Sequence, residues 1–267
     1  MTPHLHARFL ALHTASQPLL LTNAWDAASA RLWQELGAPA VATSSAAVAW
    51  SRGYADGGAL PQSELLSSLA GIVRVTSIPV TADIEDGYSD DPRVVAALVA
   101  EIAAAGAVGI NIEDGASAPD ALVAKIRAIR AALRDAPFFI NARTDVYLRG
   151  MASDDAAVAM TIERLRMYRD AGADGGFVPG LASVTDAANI AAGIAPLLLN
   201  VMALPGLPPA AELQAAGVRR ISTGPYLFKV AFGAAKQATQ GFLEGDYAPM
   251  FEQALDYNAM NRMFEVN

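Results

Sequence analysis

The sequence predicts an α/β protein built as a (β/α)8 barrel of the TIM type. Short apolar runs of strand length alternate with alanine-rich segments of helical period along the whole chain. Eight such pairs are what a closed barrel requires. An open, doubly wound sheet gives the same alternation, but its first turn is rich in glycine. Residues 22–26 (TNAWD), which follow the first predicted strand, contain no glycine, and this favours the barrel.

The predicted strands are short, largely apolar runs that alternate with the predicted helices. In chain order they are Leu19–Thr22, Ala38–Ser44, Pro79–Asp83, Gly106–Ile112, Phe138–Arg143, Gly175–Val178, Pro196–Val201 and Val218–Ser222.

The predicted helices carry start and stop signals. Asp91-Pro92 and Ser153-Asp154 are typical helix starts, and Gly37 and Gly172 stand where helices should end. In chain order the helices are Asp26–Leu36, Gln62–Val75, Pro92–Ala105, Asp120–Leu133, Asp154–Ala171, Val184–Ala192 and Pro209–Ala216, followed by 224–244 as the eighth helix and Tyr247–Phe264 as an additional one. With a short N-terminal helix, residues 1–267 are predicted to form a single domain, because no linker or change in composition divides them.

The composition excludes several kinds of active site. The absence of cysteine excludes disulfides, thiolate metal sites and a cysteine nucleophile. All three histidines lie within the first 13 residues, where we expect a solvated surface helix, so a Ser-His-Asp triad or a histidine-rich zinc site is not expected. A formal charge of −8 argues against non-specific nucleic-acid binding, and no segment resembles a membrane span or a signal peptide. We therefore expect a cytoplasmic enzyme that uses carboxylates, tyrosine, arginine, backbone amides, water and a metal.

Acid clusters end two neighbouring predicted strands. Asp83 and Glu85 follow the third strand, and Glu113 and Asp114 follow the fourth. Carboxylates that converge in one small volume repel one another unless a proton or a cation intervenes. An oxygen-liganded divalent ion is the simplest neutraliser, with Mg²⁺ the first choice and Mn²⁺ a possible substitute.

Other polar residues stand at strand ends, which face the active site of such a barrel. Arg143 follows the fifth strand and suits an anionic ligand beside a metal. An alternative interpretation is that Asp83 and Glu113 cap the following helices and pair with Arg143. Asp56 could equally belong to an ordinary Asp-Gly turn. Residues 222–226 (STGPY) resemble, weakly, a phosphate-binding turn.

Six segments together resemble the isocitrate lyase / phosphoenolpyruvate mutase superfamily, from about Asn23 to Ser222. They are TNAWDAASA (22–30), TSS (43–45), GYAD (53–56), TADIEDGY (81–88), GINIED (109–114) and INARTD (140–145). The resemblance implies a (β/α)8 barrel whose eighth helix is exchanged with a neighbouring subunit in a homo-oligomer, either a dimer or a tetramer. It also implies Mg²⁺ and a small 2-oxo or 2-hydroxy carboxylate as the substrate.

The resemblance assigns the acids to the metal. Asp83 is similar to the superfamily's direct ligand, and Asp56, Glu85 and Glu113 are similar to the acids that hold the water molecules of the metal. Mg²⁺ keeps several of its waters readily, so largely indirect binding is physically reasonable. Glu85 replaces the aspartate of many members.

The resemblance also assigns the substrate contacts. Ser44 and the backbone of Ser45–Ala46 resemble the segment that holds the substrate carboxylate and oxyanion. Arg143 resembles the arginine that pairs with a carboxylate or phosphonate. Asn200 is a weaker match to a substrate-binding asparagine.

The loop after the fourth strand departs from the superfamily pattern. Lyases for isocitrate and methylisocitrate carry a Lys-Lys-Cys-Gly-His loop there, and the mutases and phosphonopyruvate hydrolases use lysine and asparagine. Here the stretch 115–121 (GASAPDA) has none of these residues, and Lys125 in the following helix is expected to be a surface residue. The metal-enolate machinery is therefore predicted without its acid/base lid.

This combination predicts a Mg²⁺-dependent lyase that cleaves a carbon–carbon bond through a metal-stabilised enolate. Decarboxylation of oxaloacetate fits best, because CO₂ departs without a protein acid, and a retro-aldol cleavage of the isocitrate or methylisocitrate type is second. Carbon–phosphorus chemistry and a non-catalytic 2-oxo-acid binding protein remain alternatives. The predicted catalytic residues are Arg143, Asp56, Ser44, Tyr54 and Tyr88, with either tyrosine or water protonating the enolate.

Overall fold

The computed structural model describes residues 3–265, and its strands form a closed, all-parallel barrel in the order β1 to β8. Strand β8 pairs with β1 and completes the circle, so the predicted (β/α)8 fold is confirmed. The strands are β1 (Leu19–Ala24), β2 (Val41–Thr43), β3 (Val80–Asp83), β4 (Gly109–Glu113), β5 (Phe139–Arg143), β6 (Gly175–Phe177), β7 (Leu198–Met202) and β8 (Val218–Ser222).

Helices surround this barrel and supply the apolar core between sheet and helices. They are α1 (Pro3–His13), α2 (Ala27–Glu35), α3 (Ser45–Ser51), α4 (Gln62–Val75), α5 (Pro92–Ala104), α6 (Pro119–Leu133), α7 (Asp154–Ala171), α8 (Val184–Ile194), α9 (Ala210–Ala215), α10 (Tyr226–Glu244), α11 (Pro249–Glu252) and α12 (Tyr257–Phe264). Of these, α2 and α4 to α10 lie where the sequence predicts helices. None of the described helices is both long enough and apolar enough to cross a lipid bilayer.

Local capping explains where the helices begin and end. The Asp26 carboxylate accepts a hydrogen bond from the Ser29 amide at 2.7 Å and starts α2. Helix α7 ends at Gly172, whose φ of 116° is accessible to glycine at little cost. The prediction of one continuous helix over Tyr247–Phe264 is wrong, because Asp256 caps a new helix by accepting from the Ala259 amide.

The N-terminal helix α1 closes the bottom of the barrel. Phe9 and His13 are fully buried, and both pack against Phe139 of β5 with ring centroids 5.3 Å and 4.7 Å away. The expectation of solvated histidines is therefore wrong for His13, whose Nδ1 lies 2.8 Å from the Phe9 carbonyl. Burial, with Arg220 adding to it, lowers the pKa of His13 to about 4, so the ring is neutral at pH 7.

Helix α10 begins against the barrel and then presents apolar side chains to solvent. Phe228 is buried, with its ring 5.2 Å from that of Trp25 and 5.7 Å from that of Trp50. Further along the helix, Val230 is 68% exposed and Phe232 is 56% exposed. Exchange of this helix between subunits stays a prediction.

Candidate active site

A cavity of about 160 Å³ opens at the carboxyl ends of the strands. The structure brings six of the predicted site residues to its wall: Ser44, Ser45, Ala46, Asp56, Asp83 and Arg143. Its other wall residues are Asn23, Asn111, Leu148, Phe177, Met202, Ser222, Gly224 and Pro225. Their place on the wall does not establish their roles, which stay predictions.

Asp83 is the last residue of β3 and is 91% buried. Its amide donates to the Thr43 hydroxyl at 2.8 Å, and its Oδ1 accepts from the Glu85 amide at 3.3 Å. Glu85 adopts a φ of 52°, a left-handed conformation that costs energy for a non-glycine residue. Burial raises the pKa of Asp83, and Arg143 opposes the rise.

Glu85 and Glu113 line a second cavity of about 240 Å³ formed by the loops after β3 and β4. Burial raises the pKa of Glu85, and the charge of Asp56 adds to the rise. Burial also raises the pKa of Glu113 to about 8, although Arg143 opposes this. The Oε1 atom of Glu85 is buried without a hydrogen-bond partner among the described residues. Ionising all of these acids would therefore place more negative charge here than the surroundings neutralise.

Arg143, the last residue of β5, is held between two carboxylates. Its Nη1 lies 2.6 Å from Glu113 Oε2, and its Nε and Nη2 donate to the two oxygens of Asp145 at 2.6 Å and 3.1 Å. Burial tends to lower the pKa of Arg143, but the charges of Glu113 and Asp145 raise it. The guanidinium is therefore permanently charged and is fixed in direction.

The helix-capping interpretation of the acids is wrong in its main point. Helix α5 is capped by Asp91, and α6 begins after Ala118 without a side-chain cap, so neither Asp83 nor Glu113 caps a helix. Its second part holds for Glu113, which pairs with Arg143, but the described residues show no ion pair between Arg143 and Asp83.

Ser44 and the two residues after it start α3, a short helix that sequence reasoning missed. Ser44 Oγ accepts a hydrogen bond from the Ala47 amide at 3.4 Å, so the strand passes into the helix without an intervening turn. A seven-residue helix directly after a strand gives little periodic signal. The result is that Ser45 and Ala46 face the cavity on a rigid element.

Three further predicted residues lie away from the cavity wall. Tyr54 is 37% exposed on the loop after α3. The Tyr88 hydroxyl is buried near Glu85, and burial together with this carboxylate raises its pKa, so it is protonated at pH 7. Asn200 lies beneath the floor, where its Nδ2 donates to two backbone carbonyls and its Oδ1 accepts from Asn141. Their predicted roles stay predictions.

The weak resemblance of residues 222–226 to a phosphate-binding turn is not supported. The Gly224 amide donates to Asn23 Oδ1 at 2.9 Å, and Pro225 has no N–H. The Thr223 amide donates to the Leu21 carbonyl. The amides that a phosphate would need are therefore occupied by the protein.

Two supporting acids and one lysine were missed or misjudged from sequence. Asp145 is fully buried between Arg143 and Arg149, and it stands in the INARTD segment from which only the arginine was chosen. Asp114 accepts from the Tyr168 hydroxyl at 2.6 Å and pairs with an α7 arginine, so it anchors the β4 loop. Lys125 was expected at the surface but is buried, and its Nζ donates to the Asp86 carbonyl at 2.7 Å.

The acids fit a hydrated cation better than a fully protein-bound one. Within residues 3–265 no three acidic or histidine side chains converge closely enough to bind one ion directly. One direct carboxylate, with others reaching the metal through water, suits Mg²⁺. The unpartnered Glu85 oxygen and the raised pKa values of Asp83 and Glu113 are what a neutralising cation would relieve.

Comparison with known proteins gives the same picture. Residues 9–243 match the sequence profile described as phosphoenolpyruvate phosphomutase. An uncharacterised protein of Mycobacterium tuberculosis is 36% identical over 90% of this chain and 91% of its own. A Corynebacterium glutamicum protein named probable 2-methylisocitrate lyase 2 is 32% identical over 82% and 74%. The oxaloacetate decarboxylase of Chromohalobacter salexigens is 31% identical over 86% and 81%.

A solved structure agrees in fold. A Burkholderia cenocepacia protein provisionally described as a phosphonomutase superposes with a TM-score of 0.84 and 41% identity, covering 89% of this chain and 99% of its own. The barrel and its acid-lined mouth thus define an enzyme of the isocitrate lyase / phosphoenolpyruvate mutase superfamily. Within it, the chain belongs to the phosphoenolpyruvate phosphomutase family.

Proposed function

We propose that the protein is a Mg²⁺-dependent carbon–carbon lyase for a small 2-oxo or 2-hydroxy carboxylate, with oxaloacetate decarboxylation as the favoured reaction. The observation that carries the proposal is the combination of the buried acids and the fixed arginine with a β4–α6 connection that holds no lysine, histidine or cysteine. The relatives named oxaloacetate decarboxylase and 2-methylisocitrate lyase support a reaction of this class.

The chain's own residues bind and orient the substrate in this proposal. Arg143 pairs with a substrate carboxylate, since its guanidinium direction is fixed by Asp145. The start of α3 at Ser45 and Ala46 offers backbone amides to a developing oxyanion. Asp83 would hold Mg²⁺ directly, and the ion, when bound, would supply Lewis-acid polarisation of the 2-keto group.

The short β4–α6 connection supports decarboxylation as the favoured reaction. Only residues 114–118 separate β4 from α6, and the part after Asp114 holds no lysine, histidine or cysteine. In decarboxylation the bond to the carboxylate breaks, CO₂ leaves, and its electron pair forms the enolate, so no group must protonate the leaving fragment. The enolate then takes a proton from water.

Two other reactions remain candidates for specific reasons. A retro-aldol cleavage uses the same enolate machinery but needs a base for the hydroxyl, and the relative named 2-methylisocitrate lyase favours it. Carbon–phosphorus chemistry is favoured by the family match and by the Burkholderia structure. A protein that binds the ligand without turnover is the third alternative.

We also propose that the protein is a homo-oligomer, a dimer or a tetramer, in which α10 packs on a neighbouring subunit. The exposed Val230 and Phe232 support this, because large apolar side chains on one helix favour burial in an interface.

The test is oxaloacetate loss and product identity by ¹H NMR at equal Mg²⁺, comparing wild type, Asp83→Ala and Asp90→Ala. Asp90 is an exposed acid in the same loop and serves as the matched control. Pyruvate formation by wild type and Asp90→Ala only is the expected result. Equal rates in all three would leave only the reaction of free Mg²⁺ and would refute the proposal. Phosphonopyruvate and larger hydroxy acids would then separate the alternatives.

A further inference from the structure

The interior of this barrel is polar where such barrels usually pack valine, isoleucine and leucine. Asparagines from four strands and one arginine are almost completely buried there: Asn23, Asn111, Asn141, Asn200 and Arg220. The strand register places them side by side, since Asn111 of β4 is opposite Asn141 of β5, and Asn200 of β7 is opposite Arg220 of β8.

Hydrogen bonds join four of these residues into one chain beneath the cavity. Arg220 Nη2 donates to Asn111 Oδ1 at 3.2 Å. Asn141 Nδ2 donates to the same Asn111 oxygen at 2.9 Å and to Asn200 Oδ1 at 3.0 Å. Asn200 Nδ2 in turn donates to the Val201 and Arg220 carbonyls.

The direction of each amide in this chain is fixed from both ends. A guanidinium can only donate, so Asn111 must turn its oxygen toward Arg220. Backbone carbonyls can only accept, so Asn200 must turn its nitrogen toward them and its oxygen toward Asn141. Reversing any one amide would place two donors or two acceptors against each other in a buried site.

Asn111 belongs both to this hydrogen-bonded series and to the cavity wall. Its oxygen is occupied by Asn141 and Arg220, so the polar group left for the cavity is its NH₂. Asp83 and Arg143 line the same cavity. A donor therefore faces the volume where a substrate carboxylate or enolate oxygen would lie.

The burial of Arg220 is expected to lower the stability of the fold, so a structural role alone does not explain it. Arg220 is fully buried and forms no ion pair with a described residue, and its Nε and Nη1 have no hydrogen-bond partner among the described residues. A buried cation of this kind lowers stability, and replacing it with an apolar side chain of similar volume is often neutral or stabilising. The charge that faces it favourably is Asp83, while His13 below it is neutral.

The geometry points to Asn111 as a substrate-binding residue that donates to an oxygen of the carboxylate substrate, and to Arg220 as the positioning residue that fixes its amide. This inference rests on the proposed function for the identity of the substrate class. The added contact is a hydrogen bond from the Asn111 side chain to the substrate, and side chains inside the barrel, not the loops, fix its direction.

The test measures the affinity of the protein for oxalate, the smallest dicarboxylate, by calorimetric titration with and without Mg²⁺. The variants are Asn111→Asp, which keeps the accepting oxygen, loses the donor and adds a negative charge, and Arg220→Met, which releases the amide without adding a negative charge. Arg220→Lys keeps a cationic donor, and Arg219→Gln removes a neighbouring arginine on the same strand as the matched control. Thermal unfolding of each variant reports any purely structural effect.

We expect oxalate affinity to fall roughly 10- to 100-fold in Asn111→Asp and Arg220→Met, the range for a lost hydrogen bond to a charged group. Arg220→Lys should restore part of it, and Arg219→Gln should bind as wild type does. The unfolding temperature of Arg220→Met should be equal to that of wild type or higher. A structural role alone would instead lower stability and leave the affinity of the folded fraction unchanged.

Wild-type affinity in Asn111→Asp and Arg220→Met would overturn the inference. It is also overturned if the wild type binds no oxalate under either condition. If the wild type binds oxalate, the variants lose it and no enzyme form decarboxylates oxaloacetate, the proposed reaction fails and the binding role of Asn111 stands.

Discussion

Replacing the carboxyl group of Glu113 with an amide should stabilise the metal-free protein at high pH and change little at low pH. Glu113 is largely buried, pairs with Arg143, and faces the negative charges of Asp83, Asp145 and Glu85. Burial raises its pKa from 4.5 to about 8, the three carboxylates add to the rise, and Arg143 opposes it. In the neutral range the folded protein therefore keeps a proton on this group.

Linkage gives the direction of the effect on stability. Between pH 4.5 and about 8 the folded protein holds a proton on Glu113 that the unfolded chain has released. Stability therefore falls as the pH rises through this window, and the loss is complete above it. A pKa shift of this size corresponds to roughly 5 kcal/mol, and relaxation and water entry reduce the measured value, so we expect roughly 2–5 kcal/mol.

The assay is urea unfolding followed by tryptophan fluorescence in EDTA, at about pH 5 and about pH 9. Glutamine imitates the protonated carboxyl group, so Glu113→Gln should match wild type at the lower pH and exceed it at the higher one. Glu101→Gln, which removes an exposed acid on α5, is the control. Saturating Mg²⁺ should cancel the advantage of Glu113→Gln. A difference between the two proteins that is equal at both pH values would refute the reasoning.

Two further predictions concern packing and assembly. A Cβ atom at Gly175 would lie 2.5 Å from Asn141 Oδ1, so Gly175→Ala should lower the free energy of unfolding in urea by roughly 1–3 kcal/mol. Gly233→Ala is the control, because a Cβ atom there meets nothing within 4 Å. Equal unfolding midpoints for the two variants would contradict the prediction. Phe232→Glu on α10 should shift the mass measured by light scattering toward the monomer, whereas Lys236→Glu should not. A monomeric wild type would show that the exposed apolar face of α10 has another explanation.

Much of the fold could be predicted because the barrel repeats one local pattern. The period of the apolar residues located every strand, and the rule that strand ends face the site located Asp83, Glu113 and Arg143. The rule fails where an element has no period of its own, as in the seven-residue α3 that follows Ser44. It also failed at the C-terminus, where the cap at Asp256 divides a segment that is helical in composition.

Of the hydrogen-bonded asparagines beneath the cavity, the sequence pointed only to Asn200, although the signal for Asn111 and Asn141 was present. Asn111 stands between two isoleucines, two positions before Glu113, so its alternation already placed it on the inward face of β4. Asn141 holds the same position relative to Arg143. Sequence alone did not show that these amides meet, because their contact depends on the register between strands. Sequence alone also did not show that His13 is buried under the barrel, because its burial depends on how α1 packs against Phe139 of β5.

The polar interior has a cost that the rest of the fold must offset. Arg220 is buried without a carboxylate partner among the described residues, and Thr81 of β3 also has a buried hydroxyl with no hydrogen-bond partner among them. Stability is instead supplied outside the barrel, where side chains such as Leu69, Ile102 and Ile126 are fully buried between strands and helices. A fold selected for stability alone would fill its interior with apolar side chains, as related architectures do. Amides and a guanidinium in the interior are explained if they orient the donor at the mouth, because a rigid hydrogen-bonded group beneath the cavity holds that donor without help from the short β4–α6 connection.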